Sequence, residues 1–243
     1  MSELRVGTSG YDYPHWEGVF YPEDLPASER FAHYAGCFDT VEINSTFYGL
    51  PEPSTFRGWR ERAPEGFLYA LKFSRYGSHL KHLKDPEETV GNFLDAAGEL
   101  GDRLGPILVQ LPPAWNANPP RLRAFLDAAP SGRRWAVELR DESWLCDEVL
   151  GILEEHAAAL CVHDMIEDHP RRTTADWVYL RFHGVLAGGG YSRQYLTARA
   201  REVDDHLAAG RDVFAFFNND PGGQAVRDAL DLRRYVRTRR DGE

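Results

Sequence analysis

The sequence predicts an α/β chain folded as a closed (β/α)8 TIM-type barrel in one domain, residues 1–243. Three observations predict it. Eight short, nearly continuous apolar runs recur along the chain, as expected of strands buried on both faces. Helical patterns separate most of them, and strand–helix–strand repetition gives parallel strands joined by right-handed crossovers. The length of 243 residues is close to the roughly 250 residues such a barrel uses as a single domain. An open doubly wound sheet is the alternative.

The strand runs, in order, are Leu4–Gly7, Thr40–Ile43, Phe67–Leu71, Ile107–Leu111, Trp135–Leu139, Leu160–Val162, Val178–Phe182 and Val213–Phe217. Ser28–Cys37 carries Phe31, Tyr34 and Ala35 at helical spacing. Thr55–Arg62 is a shorter helix candidate. Pro86 opens a helix over Pro86–Leu104, since proline suits a first helical turn. Pro120–Ala129, Glu142–His156, Tyr195–Ala209 and Gly223–Val236 complete the set. Between Asp164 and Asp176 there is room only for a loop or one turn, so the sixth helix is expected to be short or missing.

Composition narrows the class. The 28 basic and 38 acidic residues give a net charge of −10, which argues against non-specific coating of nucleic acid. A 42% hydrophobic content supports a sizeable core. No apolar run approaches the roughly 20 residues of a membrane span, so no membrane partner is expected. Met1-Ser2-Glu3-Leu4-Arg5-Val6 lacks an apolar signal region, and a cytoplasmic location is the expectation. Cys37, Cys146 and Cys161 are few and far apart, which fits a reducing compartment.

Barrel active sites lie at the C-terminal strand ends. There the sequence places Thr8-Ser9-Gly10-Tyr11, Glu42 with Asn44 and Tyr48, Lys72 with Arg75, Gln110, Glu138 with Arg140 and Trp144, His163-Asp164, Arg181 with His183, and Asn218-Asn219-Asp220. Residues two apart share a side of a strand, so Glu42/Asn44, Glu138/Arg140 and Arg181/His183 are same-side pairs. A bland reading is that these charges neutralise one another as buried ion pairs, an arrangement costly to desolvate. The functional reading makes Glu42, Glu138 and His183 acid/base groups. Lys72, Arg75, Arg140 and Arg181 would hold an anion, although 25 arginines against three lysines make arginine the default cation here. Asn44, Gln110, Asp164, Asn218, Asn219 and Asp220 would orient substrate, and Tyr11, Trp16, Tyr48 and Trp144 would wall the site.

Gly188-Gly189-Gly190 and Pro221-Gly222-Gly223 could hold a phosphate on backbone N–H groups, or could be turns that relieve strain. The aromatic loop with Tyr11, Tyr13, Trp16, Phe20 and Tyr21 could cover the mouth or pack on itself. No residue is assigned as a metal ligand. Glu42, Glu138, His163, Asp164, His183 and Asp220 could assemble a divalent site, but no H-E-x-x-H or paired C-x-x-C motif supports one. His79, His82 and His163 are read as structural, or as supporting a site residue without touching the ligand. The cysteines lack a nearby base, and there is no G-x-S-x-G, Walker or dinucleotide motif. Arg233–Arg240 reads as a solvated helix end, with nucleic-acid contact the lesser reading.

Gly7-Thr8-Ser9-Gly10-Tyr11 with Trp16 and Phe20-Tyr21-Pro22, then Thr40–Tyr48, Leu108–Pro113, Val137–Arg140 with Trp144, Tyr179–Gly184 and Phe217–Asp220, follow one another in order. Together they resemble the DUF72 (YecE-like) family from about residue 4 to residue 235. The resemblance implies a TIM-barrel-like fold and no established activity. Family members often carry Thr-His after the third strand, where this chain has Ser78-His79.

The expectation is an enzyme, of hydrolase, lyase or isomerase type, acting on a small anionic or phosphorylated, sugar-like substrate by acid/base catalysis. A metal-dependent nuclease or repair-type hydrolase and a non-catalytic anion-binding barrel are the rivals. Cofactor and oligomeric state are left open, with a divalent metal not favoured.

Overall fold

The computed structural model describes residues 2–184 and 189–242. Its strands are β1 (Leu4–Thr8), β2 (Thr40–Ile43), β3 (Leu68–Lys72), β4 (Leu104–Gln110), β5 (Trp135–Glu138), β6 (Ala159–His163), β7 (Trp177–Phe182) and β8 (Asp212–Phe217). They form one eight-stranded sheet in the order β1-β8-β7-β6-β5-β4-β3-β2, with parallel pairing. The two ends of that order meet at a bridge between Ser9 and Glu42, where the Gly10 N–H donates to the Glu42 carbonyl at 2.8 Å. This is the expected (β/α)8 barrel class. Each expected strand lies within a few residues of its observed position.

The helices are α1 (Arg30–Cys37), α2 (Ser45–Tyr48), α3 (Pro53–Arg62), α4 (Pro86–Ala97), α5 (Pro119–Ala128), α6 (Asp147–Glu155), α7 (Arg193–Ala208) and α8 (Gln224–Asp241). Three expected boundaries move. The helix expected over Pro86–Leu104 is α-helical only to Ala97. A 3₁₀ stretch follows, broken by Gly101 at φ 57°. The helix expected from Glu142 begins at Asp147, because a separate 3₁₀ turn over Glu142–Trp144 is capped by Asp141. The last helix runs five residues past Val236 to Asp241, with Arg239 and Arg240 suiting its C-terminal dipole. As expected, no α-helix joins β6 to β7. Instead Thr174 stitches the connection to β6, accepting from the Leu160 N–H at 2.7 Å and donating to the Ala158 carbonyl at 2.6 Å.

The chain divides into two compact units. The terminal unit, residues 1–42 and 180–243, packs α1 against β1 and β2 through Tyr34. The Tyr34 hydroxyl accepts from the Thr8 N–H and donates to the Thr40 carbonyl, each at 3.0 Å, and its ring stacks on Phe38 at 4.8 Å. Burial pushes the Tyr34 hydroxyl pKa up, so it stays a neutral donor. In the central unit, residues 43–179, the buried Phe73 ring meets Phe93 at 5.1 Å and Phe125 at 5.3 Å. The unit's helices α3, α4 and α5 all carry proline in the first turn, where a missing N–H costs nothing.

Candidate functional site

In the central unit the register sets the strand ends side by side. Gln110 on β4 lies across from Glu138 on β5, and Lys72 on β3 pairs with Leu108, two residues before Gln110. Glu138 is fully buried, and its Oε1 accepts from Gln110 Nε2 at 2.9 Å and from Arg140 Nη1 at 2.8 Å. The expected same-side pair of Glu138 and Arg140 is therefore an ion pair. Lys72 is also buried, with Nζ 4.2 Å from the Phe47 ring centroid, a cation–π distance. Thr46 Oγ1 donates to the Lys72 carbonyl at 2.7 Å, which joins the one-turn α2 to the end of β3.

His79 packs edge-on against the same Phe47 ring at 4.9 Å. Its Nδ1 lies 3.0 Å from Ser78 Oγ. Ser78 Oγ already donates to the Ser74 carbonyl at 2.8 Å, so it accepts from the His79 Nδ1–H and leaves the Nε2 lone pair bare. Burial is the largest influence on this ring and pushes its pKa down to about 4, and the charges of Lys72, Arg75, His82 and Arg140 add to the effect. No carboxylate is among the leading influences on it.

Other central residues are placed as follows. Asn44, just past β2, has a buried Oδ1 with no hydrogen-bond partner in the protein. Tyr48 and Arg75 are exposed, and Asp164 is half-buried. Trp144 is fully buried and donates Nε1–H to the Trp115 carbonyl, so it serves the fold where it was expected to wall a site. His163 donates to the Leu139 carbonyl at 2.8 Å and accepts from the Met165 N–H at 3.2 Å, which occupies both ring nitrogens structurally. The His169 ring packs tilted against His163, centroids 4.4 Å apart, and burial pushes its pKa down to about 4.

In the terminal unit Glu42 and Arg181 form a bidentate pair. Nε donates to Oε2 at 3.0 Å and Nη2 to Oε1 at 2.7 Å, and Ser9 Oγ donates to Oε1 at 2.6 Å. Arg181 Nη1 lies 3.4 Å from His183 Nε2, and Asn218 Nδ2 lies 3.2 Å from His183 Nδ1. A neutral imidazole cannot accept at both nitrogens, so the Asn218 amide is better read flipped, accepting from Nδ1–H.

Trp16 is fully buried and donates to Asp220 Oδ1 at 2.7 Å, while His15 reaches Asp220 Oδ2 at 2.8 Å. The aromatic loop is internally packed at its centre, with Trp16 against Tyr13, Phe20 and Tyr21. Tyr11 is half-buried, its ring 5.3 Å from Phe31. Asn219 is buried and donates Nδ2–H to Asp228 at 2.7 Å and to the Gly189 carbonyl at 3.2 Å, an intraprotein tie. Gly222 and Gly223 take φ of 67° and 70°, and Gly188 lies outside the described residues. In the basic run, Arg239 and Arg240 share Asp204, Arg234 pairs with Asp231, and Arg233 donates to the Cys37 carbonyl. A groove of about 570 Å³ beside them is lined by Arg193, Thr197, Arg234, Tyr235, Thr238 and Arg239.

Among the described residues no three His, Cys, Asp or Glu side chains group as metal ligands, and no helix is long and apolar enough to cross a membrane. Sequence reasoning set His79 aside as structural and missed Phe47. The available signal was the Thr46-Phe47 and Ser78-His79 dipeptides flanking β3, which periodicity cannot bring together.

The chain matches the pattern of the family described as "Protein of unknown function DUF72" over residues 5–242. It is 30% identical over 138 residues to the UPF0759 protein YecE of Escherichia coli K12, a match covering 56% of this chain and 48% of that protein. The chain thus spans about half the length of that curated relative. The crystal structure of a DUF72 family protein from Thermotoga maritima superposes with a TM-score of 0.87 at 28% identity, covering 97% of this chain and 99% of that one. L-ribulose 3-epimerase, at TM-score 0.59 and 14% identity, covering 100% of this chain and 97% of that one, shares the fold alone.

Proposed function

The chain belongs to the DUF72 family, and from that premise we propose that it is an enzyme acting by acid/base chemistry on a small anionic substrate of the phosphosugar type. The observation that carries the reading is the electrostatic surroundings of His79. Lys72, Arg75, His82 and Arg140 all act on one imidazole and help hold it neutral. Burial is the larger influence on this imidazole, and it is the cations beside it that attract a phosphate or carboxylate.

In this reading Lys72 and Arg75 take the anion, and Arg140 divides its charge between substrate and Glu138. Glu138, held by Gln110 and Arg140, is the carboxylate of the acid/base pair. His79 presents an unprotonated Nε2. An arriving anion offsets the cations around it and raises its pKa, so the base becomes competent when substrate is present. The orphaned Asn44 Oδ1 supplies an acceptor for a substrate hydroxyl. The terminal unit carries a parallel arrangement at its own strand ends, where Glu42 orients Arg181 and His183 is the proton carrier.

The test is an NMR titration of His79 with and without inorganic phosphate, alongside a turnover screen of phosphosugars. A His79 pKa that rises with phosphate, and turnover lost in Glu138→Gln, supports the reading. A titration unmoved by saturating phosphate, or an activity intact in Glu138→Gln, overturns it.

A further inference from the structure

The Phe47 ring has a second use. Lys72 and His79 lie against it, and it also lines a pocket of about 180 Å³ with Tyr48, Leu50, Ser74, Tyr76 and Asn92. Two of these side chains stand in solvent, Tyr48 at 78% and Tyr76 at 54% exposure, with Leu50 also exposed. Large rings left exposed beside one another on a compact surface mark a binding site more often than a packing accident. The backbone agrees. Tyr76 opens the π-helical turn Tyr76–Leu80, which also carries His79, and such turns concentrate at functional sites.

Size and chemistry narrow the occupant. A cavity of about 150 Å³ takes one benzene ring, so this pocket holds a single six-membered ring and little more. Its walls are Phe47, Tyr48 and Tyr76, which suit a flat π-face. Its rim is polar: Ser74 Oγ, which accepts from the Gly77 N–H at 3.2 Å, keeps its own proton to donate, and the exposed Asn92 amide stands beside it for the edge of a heterocycle. Lys72 touches the same Phe47 ring that lines the pocket, so an anion on Lys72 and a ring seated in the pocket can belong to one ligand.

We propose that this pocket seats the planar ring of a substrate whose phosphate rests on Lys72, giving a ligand of the pyrimidine nucleoside monophosphate class. The proposal rests on the anionic-substrate reading above and adds the ring. Stacking on the two tyrosines supplies affinity that a phosphosugar without a base lacks.

The experiment is calorimetric titration of the full chain with four probes: inorganic phosphate, ribose 5-phosphate, uridine and uridine 5′-monophosphate. The monophosphate is expected to bind at least about fivefold more tightly than ribose 5-phosphate, the lower end of what one stacked base contributes. Tyr48→Ala and Tyr76→Ala together should erase that difference, and Tyr48→Phe with Tyr76→Phe should restore it. Both positions are exposed, so the fold is retained. Equal affinity for the two phosphates, or a ratio indifferent to the tyrosines, overturns the ring site and leaves the anion site standing. Tyrosine-dependent binding of uridine with no phosphate binding keeps the ring site and overturns the anionic-substrate reading. Failure of all four probes to bind overturns both.

Discussion

Arg181 and Glu42, 139 residues apart, meet as a two-pronged ion pair with side chains 1% and 0% exposed. Each charge is desolvated and answered by the other, and Ser9 Oγ also donates to Glu42. The pair fixes the end of β7 to the end of β2 within the terminal unit.

Removing one partner leaves a buried charge without its answer. Arg181→Met or Glu42→Leu alone is expected to cost about 3–5 kcal/mol, and the double substitution much less. Urea denaturation of the two single variants and the double variant checks this. Additive losses would show that the pair is not coupled.

Gly7 in β1 is demanded by close approach. A Cβ there would stand 2.3 Å from the Thr40 carbonyl oxygen, a backbone atom that β2 cannot move aside cheaply. Gly7→Ala is expected to destabilise by about 1–3 kcal/mol, as overpacking does. A melting temperature equal to that of the parent would contradict it.

Asp228 is a buried tie point. It accepts from Asn219 Nδ2 at 2.7 Å and from the Tyr191 N–H at 3.2 Å. Asp228→Ala takes the buried acceptor away from both N–H groups, at a cost of about 1–3 kcal/mol. Amide exchange at Tyr191 should quicken markedly. Unchanged protection there would remove Asp228 from this role.

His79 and His169 each titrate near pH 4 in the folded chain, burial being the leading cause for both. In the unfolded chain they titrate near the usual histidine value of about 6.5. Between those values the unfolded state binds more protons, so stability falls as pH drops from about 6.5 toward 4. Denaturation midpoints measured across that window should decline with acid. His79→Gln and His169→Gln should each flatten the decline, and a slope untouched by either substitution would refute the assignment.

Much of this protein is legible from local sequence. A strand buried on both faces needs an apolar run of a few residues, and a helix needs a 3.6-residue apolar period, so eight strands and most helices can be placed from short windows. The polar residues at the strand ends are legible for the same reason. Side-chain partnership is not. Whether Glu138 faces a ligand or Arg140, and whether Trp16 and Trp144 wall a site or fill the core, depends on how neighbouring strands register and how loops fold back. The Glu42–Arg181 pair spans 139 residues that no periodicity links. His79 has the sequence signature of an ordinary histidine. Only the π turn after β3 carries it to the Phe47 ring beside Lys72, and burial and charge, both properties of packed chains, set its chemistry. Local sequence dictates where the strands and helices run and which polar groups end the strands. Packing in three dimensions decides which of those groups neutralise each other and which, like Asn44, keep a buried polar atom without a partner in the protein, because desolvation and charge pairing act through space and not along the chain.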